Sequence, residues 1–227
     1  MSGTRASKAV GIYWGTFDPP TLAHRTVIEN SVSQLKLSEL IVVVNDNKKT
    51  GKTYQSPASH RMKMLRCVLP AAIQNQVRIK RQTDSNELSY KRYKESSPDK
   101  TVYCIAGQDS LEKFLMSKDG AFKAKDYDHI VVVPRGDTAA LFEKKIAEMK
   151  IPNVSLLKID SQYLSISSTD ARKAAQEGKQ DILANHLDQR VAHYTQTYGF
   201  FKSGYTAKHH RAAHIIQCAY RNYKKHA

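Results

Sequence analysis

Two polar segments in opposite halves of the chain carry residue types that suit the binding of phosphate groups. The first, residues 15–24, is a Gly- and Pro-containing loop that follows an apolar run and ends at His24, one turn into a helical pattern. The second places consecutive hydroxyls at residues 167–169, one helical turn ahead of Arg172. Loop amides, helix N-termini, hydroxyls and guanidinium groups are the donors that converge on phosphate in proteins. Taken alone, each segment also fits a structural role, as an ordinary βα turn with a satisfied histidine or as a helix cap with a surface arginine.

The hydrophobic pattern around these segments predicts an α/β protein with a doubly wound parallel sheet. Short apolar runs predict strands at residues 10–14, 40–44, 77–79, 102–106, 130–133 and 154–159. Helical periodicity predicts helices at residues 22–35, 58–72, 110–116 and 138–149. Near-continuous apolar strands that alternate with amphipathic helices are typical of a parallel sheet covered on both faces. Because such a sheet binds ligands at the carboxyl ends of its strands, we expect the first polar segment to lie at the site.

Length and composition restrict the classes of protein that remain. The chain has 227 residues, a formal net charge of +15 and three cysteines without metal-ligand spacing. No apolar run is long enough to span a membrane and the N-terminus lacks an apolar signal segment, so we expect a cytoplasmic protein with reduced thiols. The positive charge predicts polyanionic partners such as nucleotides, nucleic acids, anionic membranes or acidic proteins. A nucleic-acid-binding function rests on this charge alone and is not favoured.

Residues 15–24 resemble the first βα loop of the nucleotidylyltransferases that carry the (H/T)xGH signature, which reads approximately G-x-F-[DN]-P-x-[HT]-x-G-H. Thr21 corresponds to a variant that this superfamily uses in place of the first histidine, and Ala23 stands where glycine is usual. Residues 166–172 resemble the ISSTxxR motif of the adenylyltransferases in the same superfamily, with Ala171 in the place of isoleucine. Since both motifs occur in the right order, the chain is similar to the nicotinate/nicotinamide mononucleotide adenylyltransferases. This resemblance implies a Rossmann-like fold.

A third segment, residues 105–111, resembles the IxGxDSL segment of the same family. The resemblance implies that Gly107 lets the backbone approach the adenosine and that Asp109 contacts the ribose hydroxyls. The residues alone are also compatible with a helix cap, because Glu112 follows Asp109 by three positions.

The acceptor side of the family's site is matched less completely. Arg135 lies in a segment that resembles the family's strand end vvxRxG, and Tyr90 occupies the place of a segment that contacts the pyridine ring. The family usually has a tryptophan after the IxGxDSL segment, stacking near this ring, and we expect Phe114 or Phe122 to take its place here. Arg61, in a helix that resembles the family's HRxxML segment, fits either a packing role or a functional one.

The resemblance implies transfer of AMP from ATP to the 5′-phosphate of nicotinamide or nicotinate mononucleotide, which yields NAD or its deamido form and pyrophosphate. The implied catalytic residues are His24, Thr21 and Arg172. The implied nucleotide-binding residues are Gly15, Thr16, Phe17, Asp18, Gly107, Asp109, Ser167, Ser168 and Thr169, and the implied acceptor-binding residues are Tyr90 and Arg135. Mg²⁺ is expected to bind largely through substrate phosphates and water rather than through a dedicated protein site.

Two alternatives remain open on the same fold. Ala23 and the missing tryptophan depart from the family's pattern, which is compatible with a nucleotide-binding protein whose catalysis is weak or absent and which acts through a calmodulin-binding C-terminal tail. Phosphopantetheine is the nearest competing acceptor, and it would make the chain a phosphopantetheine-type adenylyltransferase.

The C-terminal residues form a different kind of sequence, so we expect a nucleotidylyltransferase domain at 1–201 and a basic amphipathic helix at 202–227. This tail has six Lys/Arg and no acidic residue. Its residues 212–223 resemble an IQ motif, which implies calmodulin or a similar EF-hand protein as a partner. The implied contact residues are Ile216, Gln217, Arg221 and Tyr223. A helix docked on the protein's own core, or a helix that binds RNA or a membrane surface, would have a similar pattern.

Overall fold

The computed structural model of the protein describes residues 8–46, 56–82, 89–115 and 117–202. The predicted tail helix therefore lies outside the described residues, apart from Lys202. No helix within the described ranges combines the length and the apolar character that crossing a membrane requires.

Among the described residues, six parallel strands form one sheet. They are β1 (Ala9–Gly15), β2 (Glu39–Asn45), β3 (Val77–Gln82), β4 (Thr101–Gly107), β5 (His129–Val133) and β6 (Val154–Leu156), in the spatial order β3-β2-β1-β4-β5-β6. On the central strand, Ile12 lies opposite Ile41 of β2 and Cys104 of β4. The β-branched residues that dominate β2 and β5 favour this pleated backbone. The predicted doubly wound parallel sheet is confirmed.

Helices connect the strands. They are α1 (Leu22–Gln34), α2 (Ala58–Val68), α3 (Tyr90–Ser96), α4 (Gln108–Leu115), α5 (Gly120–Ala124), α6 (Ala139–Met149), α7 (Ser161–Leu164), α8 (Ser168–Glu177), α9 (Gln180–His186) and α10 (Gln189–Thr197). Short 3₁₀ helices occupy Ala71–Gln76 and Gly136–Thr138. The helix predicted to reach residue 72 ends at Val68, because Pro70 disfavours helical backbone at Leu69, which is extended.

Alternate residues of each strand face opposite sides of the sheet. On one side, Tyr13 belongs to a buried cluster that contains apolar residues of α1, α2, α8, α9 and α10. On the other side, Val10 and Ile12 pack with Cys104. The register partner of Cys104 is Ile130, which packs against residues of α4 and α6. We call the side covered by α1 and α8 the first face and the side covered by α4 and α6 the second face.

The strand order reverses between β1 and β4, and we call this position the switch point of the sheet. The chain builds outward from β1 to β3 and then returns to place β4 on the other side of β1. In open parallel sheets a crevice forms at such a point, beyond the carboxyl ends of the strands, and ligands bind there. Gly15 ends β1 and Gly107 ends β4, so both residues border this crevice.

Candidate active site

A cavity of about 840 Å³ opens at the carboxyl ends of β1 and β4. The residues predicted from the sequence that line it are Gly15, Thr16, Phe17, Asp18, His24, Gly107, Asp109, Arg135, Ser167, Ser168, Thr169 and Arg172. The lining residues that were not predicted to have a role are Tyr13, Trp14, Asn45, Ala106, Ser110 and Lys113. Two distant stretches of the chain are thus brought together at the switch point of the sheet.

The loop after β1 is built around the buried ring of Phe17. This residue is 1% exposed and adopts a left-handed backbone conformation with a φ of 53°. Its ring lies beneath Gly15, where an added Cβ would come within 2.4 Å of the ring. The same ring meets the rings of Tyr13 and His24 edge-on, at centroid distances of 5.4 and 5.0 Å. Glycine is therefore required at this position for the loop to close over Phe17.

His24 lies in the first turn of α1 and lines the cavity. The backbone N–H of Thr21 donates to Nδ1 of His24 at 3.0 Å, and the Thr21 hydroxyl lies 2.9 Å from the same nitrogen. Because Nδ1 accepts, the neutral ring carries its proton on Nε2, which can donate to a ligand. Burial, aided by the charge of Arg135, lowers the pKa of His24 to about 3. The ring is therefore a neutral donor at physiological pH, and the fully buried Thr21 holds it from behind.

The second polar segment docks directly onto the first. The hydroxyl of Ser168 donates to the carbonyl of Pro19 at 2.8 Å, and Nη1 of Arg172 donates to the carbonyl of Asp18 at 2.7 Å. Nη2 of Arg172 also donates to the Thr169 hydroxyl at 3.2 Å. These bonds use two of the five N–H donors of the guanidinium, so donors remain for a ligand. The N-terminus of α8 therefore lies beside the loop after β1.

The hydroxyl of Ser167 caps α8. It accepts from the backbone N–H of Asp170 at 3.1 Å. The backbone N–H groups of Ser168 and Thr169 belong to the first turn of α8, so they have no partner within that helix. The N-terminus of α8 thus contributes amide donors and the positive end of a helix dipole to the cavity.

A buried arginine fixes the shape of the loops on this edge of the sheet. Arg61 is 0% exposed, and its guanidinium donates to the carbonyls of Thr16, Asn45 and Ser56 at 2.7, 2.8 and 3.1 Å. It also pairs with Asp46 at 2.9 Å. Arg61 therefore has a structural role, because its donors tie the ends of β1 and β2 to the start of α2.

Asp18 contributes to the same support. Its carboxylate is buried and accepts hydrogen bonds from the hydroxyl and the backbone N–H of Ser56. Its carbonyl accepts the bond from Arg172 described above. Asp18 lines the cavity, while its charged group holds the segment that leads into α2.

A buried glutamine that was not predicted positions Arg135. Oε1 of Gln108 accepts from the backbone N–H of Arg135 at 3.0 Å, and its Nε2 donates to the Thr138 hydroxyl at 2.9 Å. That hydroxyl donates in turn to the carbonyl of Arg135 at 3.0 Å. Nη1 of Arg135 lies 3.8 Å from Oδ2 of Asp109. The loop after β5 is thereby held so that Arg135 faces the cavity. The only signal in the sequence was a polar residue between the predicted site residues Gly107 and Asp109.

Tyr90 is not brought together with the other predicted residues. Its hydroxyl accepts from the backbone N–H of Asp128 at 3.0 Å, and its ring lies 4.5 Å from the ring of Tyr127. Asp128 precedes β5, so this hydroxyl is at the amino ends of the strands, whereas the cavity is at their carboxyl ends. This placement corrects the expected contact of Tyr90 with the acceptor: the residue anchors α3 to the opposite edge of the sheet.

The expected substitutes for the family's tryptophan are also placed elsewhere. Phe114 packs edge-on against Tyr127 at a centroid distance of 6.0 Å, within the core cluster of the second face. Phe122 is 73% exposed, and neither phenylalanine belongs to the described lining of the cavity. The lining contains Trp14 instead, which is the single tryptophan of the chain and directly precedes Gly15.

Ala23 lies behind His24. It lines a second, much smaller cavity of about 40 Å³, together with Val27, Ile159 and Leu164. It is not part of the large cavity's lining in the described ranges. Ala23, which stands where glycine is usual, therefore borders the smaller cavity rather than the large one.

The donor set of the cavity suits a polyphosphate. Arg135, Arg172 and Lys113 contribute positive charge, and His24 and the amides of α8 add neutral donors. Within the described ranges, no three His, Cys, Asp or Glu side chains are grouped so that they could hold a metal ion.

Nucleotide-binding α/β proteins use this arrangement of a parallel sheet with helix N-termini and cations at its switch point. Comparison with known proteins specifies the class. The family model described as cytidylyltransferase-like matches residues 12–174, which is more than half of the chain. The protein therefore belongs to the cytidylyltransferase-like family and is a nucleotidyltransferase enzyme.

Relatives of this chain carry more specific names. A protein of Christiangramia forsetii named "Probable nicotinate-nucleotide adenylyltransferase" is 24% identical over 207 residues, covering 86% of this chain and 100% of its own. A protein of Roseiflexus with the same name is 26% identical over 204 residues, covering 87% and 100%. These names describe the relatives.

Solved structures show the same fold. The Plasmodium falciparum nicotinic acid mononucleotide adenylyltransferase in complex with NaAD matches with a TM-score of 0.72 and 23% identity, over 86% of this chain and 97% of that one. The same enzyme in complex with APC matches with a TM-score of 0.70. At this level of identity the likeness establishes the Rossmann-like fold.

Proposed function

We propose that this protein transfers AMP from ATP to the 5′-phosphate of nicotinate or nicotinamide mononucleotide and releases pyrophosphate. The observation that carries the proposal is the convergence of His24, Arg172 and the N-terminus of α8 on one cavity at the switch point. The names of the relatives agree with this reaction, because they are called nicotinate-nucleotide adenylyltransferases.

The reaction needs no nucleophile from the protein. A phosphate oxygen of the acceptor attacks the α-phosphorus of ATP, and the bond between that phosphorus and the oxygen bridging to the β-phosphorus breaks. The electron pair of that bond leaves with pyrophosphate. The protein's contribution is to align the two phosphates and to stabilise the charge that develops on the leaving group.

Different donors of the cavity bind different phosphates of ATP. Nε2 of His24 donates to the α-phosphate, and Thr21 keeps that proton on Nε2 by donating to Nδ1. The amides of Ser168 and Thr169 and the remaining donors of Arg172 bind the β- and γ-phosphates. These groups are already held by the loop after β1, so little reorganisation is required when charge develops.

The adenosine and the acceptor phosphate occupy the other parts of the lining. An added Cβ on Gly107 would meet nothing within 4 Å, so there is open space above the end of β4 for a nucleoside. Asp109, at the start of α4, is positioned to accept from ribose hydroxyls. Arg135 is the cation that Gln108 holds toward the cavity, and we assign it to the acceptor's phosphate.

We assign Mg²⁺ to the substrate's phosphate oxygens and to water. The lining consists largely of N–H and hydroxyl donors, which complement phosphate oxygens, and the carboxylate of Asp18 is already used by Ser56. When bound, Mg²⁺ neutralises charge on the leaving pyrophosphate.

The full chain should be incubated with ATP and Mg²⁺ and with each pyridine mononucleotide in turn, and the products separated. We expect a dinucleotide and pyrophosphate in equal amounts. Product only with 4′-phosphopantetheine would identify the competing acceptor. ATP binding without any transfer would identify a nucleotide-binding protein on an enzyme's fold.

We also propose that residues 202–227 bind calmodulin or a similar EF-hand protein. The support is the sequence pattern alone, in which Ile216, Gln217, Arg221 and Tyr223 match an IQ motif. The test compares the full chain with its Ile216→Ala/Arg221→Ala variant for a mobility shift with calmodulin, with and without Ca²⁺. A shift that the variant loses is expected. The absence of a shift in both conditions would remove this partner.

We propose the cytoplasm as the location of this activity. Cys67 and Cys104 are both free thiols, which suits a reducing compartment, and ATP is the proposed substrate. Fractionation of cells that express the tagged chain is the test. Recovery with the membrane fraction after a high-salt wash would contradict this location.

A further inference from the structure

The cavity has two sides, which correspond to the two faces of the sheet. His24, Arg172 and the start of α8 lie over the first face, and we call this part of the cavity the phosphate side. On the second face Trp14 packs with the cluster that contains Val10 and Ile12, as expected from its alternation with Tyr13. We call the part of the cavity lined by Trp14 and by Ser110 and Lys113 of α4 the ring side. The mechanism above uses no side chain of the ring side.

Trp14 offers an aromatic surface at the ring side. It is partly exposed where β1 meets the cavity, and no aromatic ring of the described residues stacks on it. Phe17, by contrast, is buried beneath Gly15. An exposed indole attracts flat rings by stacking, and it attracts cationic groups by cation–π interaction more strongly than other aromatic side chains do. The pyridine ring of the proposed acceptor is both flat and positively charged, because its nitrogen is bonded to ribose.

Lys113 adds a cation next to this surface. Asp109, Ser110 and Lys113 lie on the cavity side of α4 at helical spacing, whereas Leu111 and Leu115 on the other side are buried in the core. Neighbouring charges are already paired: Glu112 with Lys145 at 2.9 Å, and Asp109 with Arg135 at 3.8 Å. Lys113 makes no hydrogen bond or ion pair with any residue in the described part of the chain. An unpaired ammonium that lines a cavity is suited to an anionic ligand group.

We infer that Trp14 and Lys113 bind the ring end of the acceptor and give the enzyme a preference for nicotinate over nicotinamide mononucleotide. This inference rests on the proposed function. The indole of Trp14 stacks on the pyridine ring, and the ammonium of Lys113 pairs with the ring's carboxylate. Nicotinamide presents a neutral amide at the same position, so it gains the stacking contact without the charge-assisted hydrogen bond.

Binding can be measured without turnover, because Trp14 is the single tryptophan of the chain. The indole fluorescence of the full chain is titrated with nicotinate mononucleotide, nicotinamide mononucleotide and a non-hydrolysable ATP analogue in separate experiments. We expect quenching by both pyridine mononucleotides, with the tighter dissociation constant for nicotinate. The ATP analogue places its triphosphate at the phosphate side and its adenosine beside Gly107 and Asp109, without stacking on Trp14, so we expect it to change the emission less.

Steady-state kinetics then test the role of the lysine. Lys113→Gln is expected to raise KM for nicotinate mononucleotide roughly tenfold, which corresponds to about 1.4 kcal/mol, with little change for nicotinamide mononucleotide. Lys144→Gln, which removes an exposed lysine of α6, is the control with matched charge and should leave both values unchanged. Trp14→Leu is expected to raise KM for both acceptors, and Trp14→Phe to restore most of the loss.

The outcomes separate the inference from the function on which it rests. If dinucleotide forms and Lys113→Gln keeps the wild-type ratio of kcat/KM for the two acceptors, the inference is overturned while the proposed function stands. Saturating acceptor that leaves the fluorescence of Trp14 unchanged would also overturn it. If no dinucleotide forms with either acceptor, the proposed function itself fails.

Discussion

On the phosphate side of the cavity Arg172 is hydrogen-bonded to the carbonyl of Asp18, whereas on the ring side Lys113 makes no hydrogen bond with any described residue. On the phosphate side the donors are already held in place by the loop after β1 before a ligand binds. On the ring side Lys113, unpaired within the described ranges, can gain a partner from the bound substrate. A fixed phosphate side serves the chemistry that is common to every acceptor, and an unpaired ring side determines which acceptor is taken. Substitutions on the two sides should therefore differ in kind as well as in size.

The largest effect is expected from the buried arginine that supports the phosphate side. Arg61→Met leaves the carbonyls of Thr16, Asn45 and Ser56 and the charge of Asp46 without this donor. We expect a loss of ~3–5 kcal/mol in the free energy of unfolding, measured by denaturant titration. Arg66→Met, at an exposed position of the same helix, is the control and should stay within about 0.5 kcal/mol of wild type. A small effect at Arg61 would mean that the loops do not depend on it.

The next effect is on turnover. His24→Ala removes the Nε2 donor and should lower kcat roughly 10²–10³-fold with either pyridine acceptor, because one preorganised donor is lost. The fold should persist, as judged by circular dichroism. His193→Ala removes an exposed histidine of α10 and should leave kcat unchanged. Unchanged turnover in the His24 variant would remove this residue from the mechanism, and a loss confined to one acceptor would blur the distinction between the two sides.

A smaller effect is expected from the glutamine that joins the two sides. Gln108→Met keeps the length of the side chain and removes both hydrogen bonds that position Arg135 and Thr138. We expect kcat/KM to fall between roughly tenfold and 10²-fold, through misplacement of Arg135, and the free energy of unfolding to fall by about 1–3 kcal/mol. Gln176→Met, at an exposed position of α8, is the matched control. Equal kinetics in the two variants would mean that Arg135 needs no such support.

The contrast between the two sides also explains what could be predicted from the sequence. The sheet was predictable because its strands are nearly continuous apolar runs. The convergence of residues from 15–24 and 167–172 on one cavity was predictable because both segments resemble motifs of one family, whereas the role of each residue there stays a prediction. The last strand ends at Leu156 rather than at residue 159. The apolar residues beyond its end cannot be distinguished by residue type from those within the strand. The end of a strand depends on its hydrogen bonding to the neighbouring strand, which the sequence of one segment does not predict.

The ring side could not be predicted in the same way. Trp14 and Lys113 meet because one ends β1 on the second face and the other lies on the cavity side of α4, and this requires the strand order and the register. Tyr90 was assigned to the acceptor from its position in the chain, but α3 places its hydroxyl at the opposite edge of the sheet. Sequence position alone does not decide at which end of a parallel sheet a side chain lies.

The smallest effect concerns pH. The pKa of His24 in the folded protein is about 3, below its ordinary value of 6.5, so the unfolded chain takes up this proton first as the pH falls. The stability that the neutral ring contributes is complete above about pH 6.5 and is lost as the pH falls from there toward 3. We therefore expect His24→Asn to lose less stability than wild type between pH 7 and pH 4.5, measured by denaturant titration. Parallel losses in the two proteins would show that the histidine is not held neutral.

The central claim, transfer of AMP to an acceptor held across these two sides, is tested most directly by following the phosphorus atoms of ATP. The full chain is incubated with Mg²⁺ and nicotinate mononucleotide, in one sample with ATP labelled at the α-phosphorus and in another with ATP labelled at the γ-phosphorus. The account predicts that the α-label appears in the dinucleotide and the γ-label in pyrophosphate. Gamma-label on the acceptor, or both labels retained in bound ATP, would contradict it.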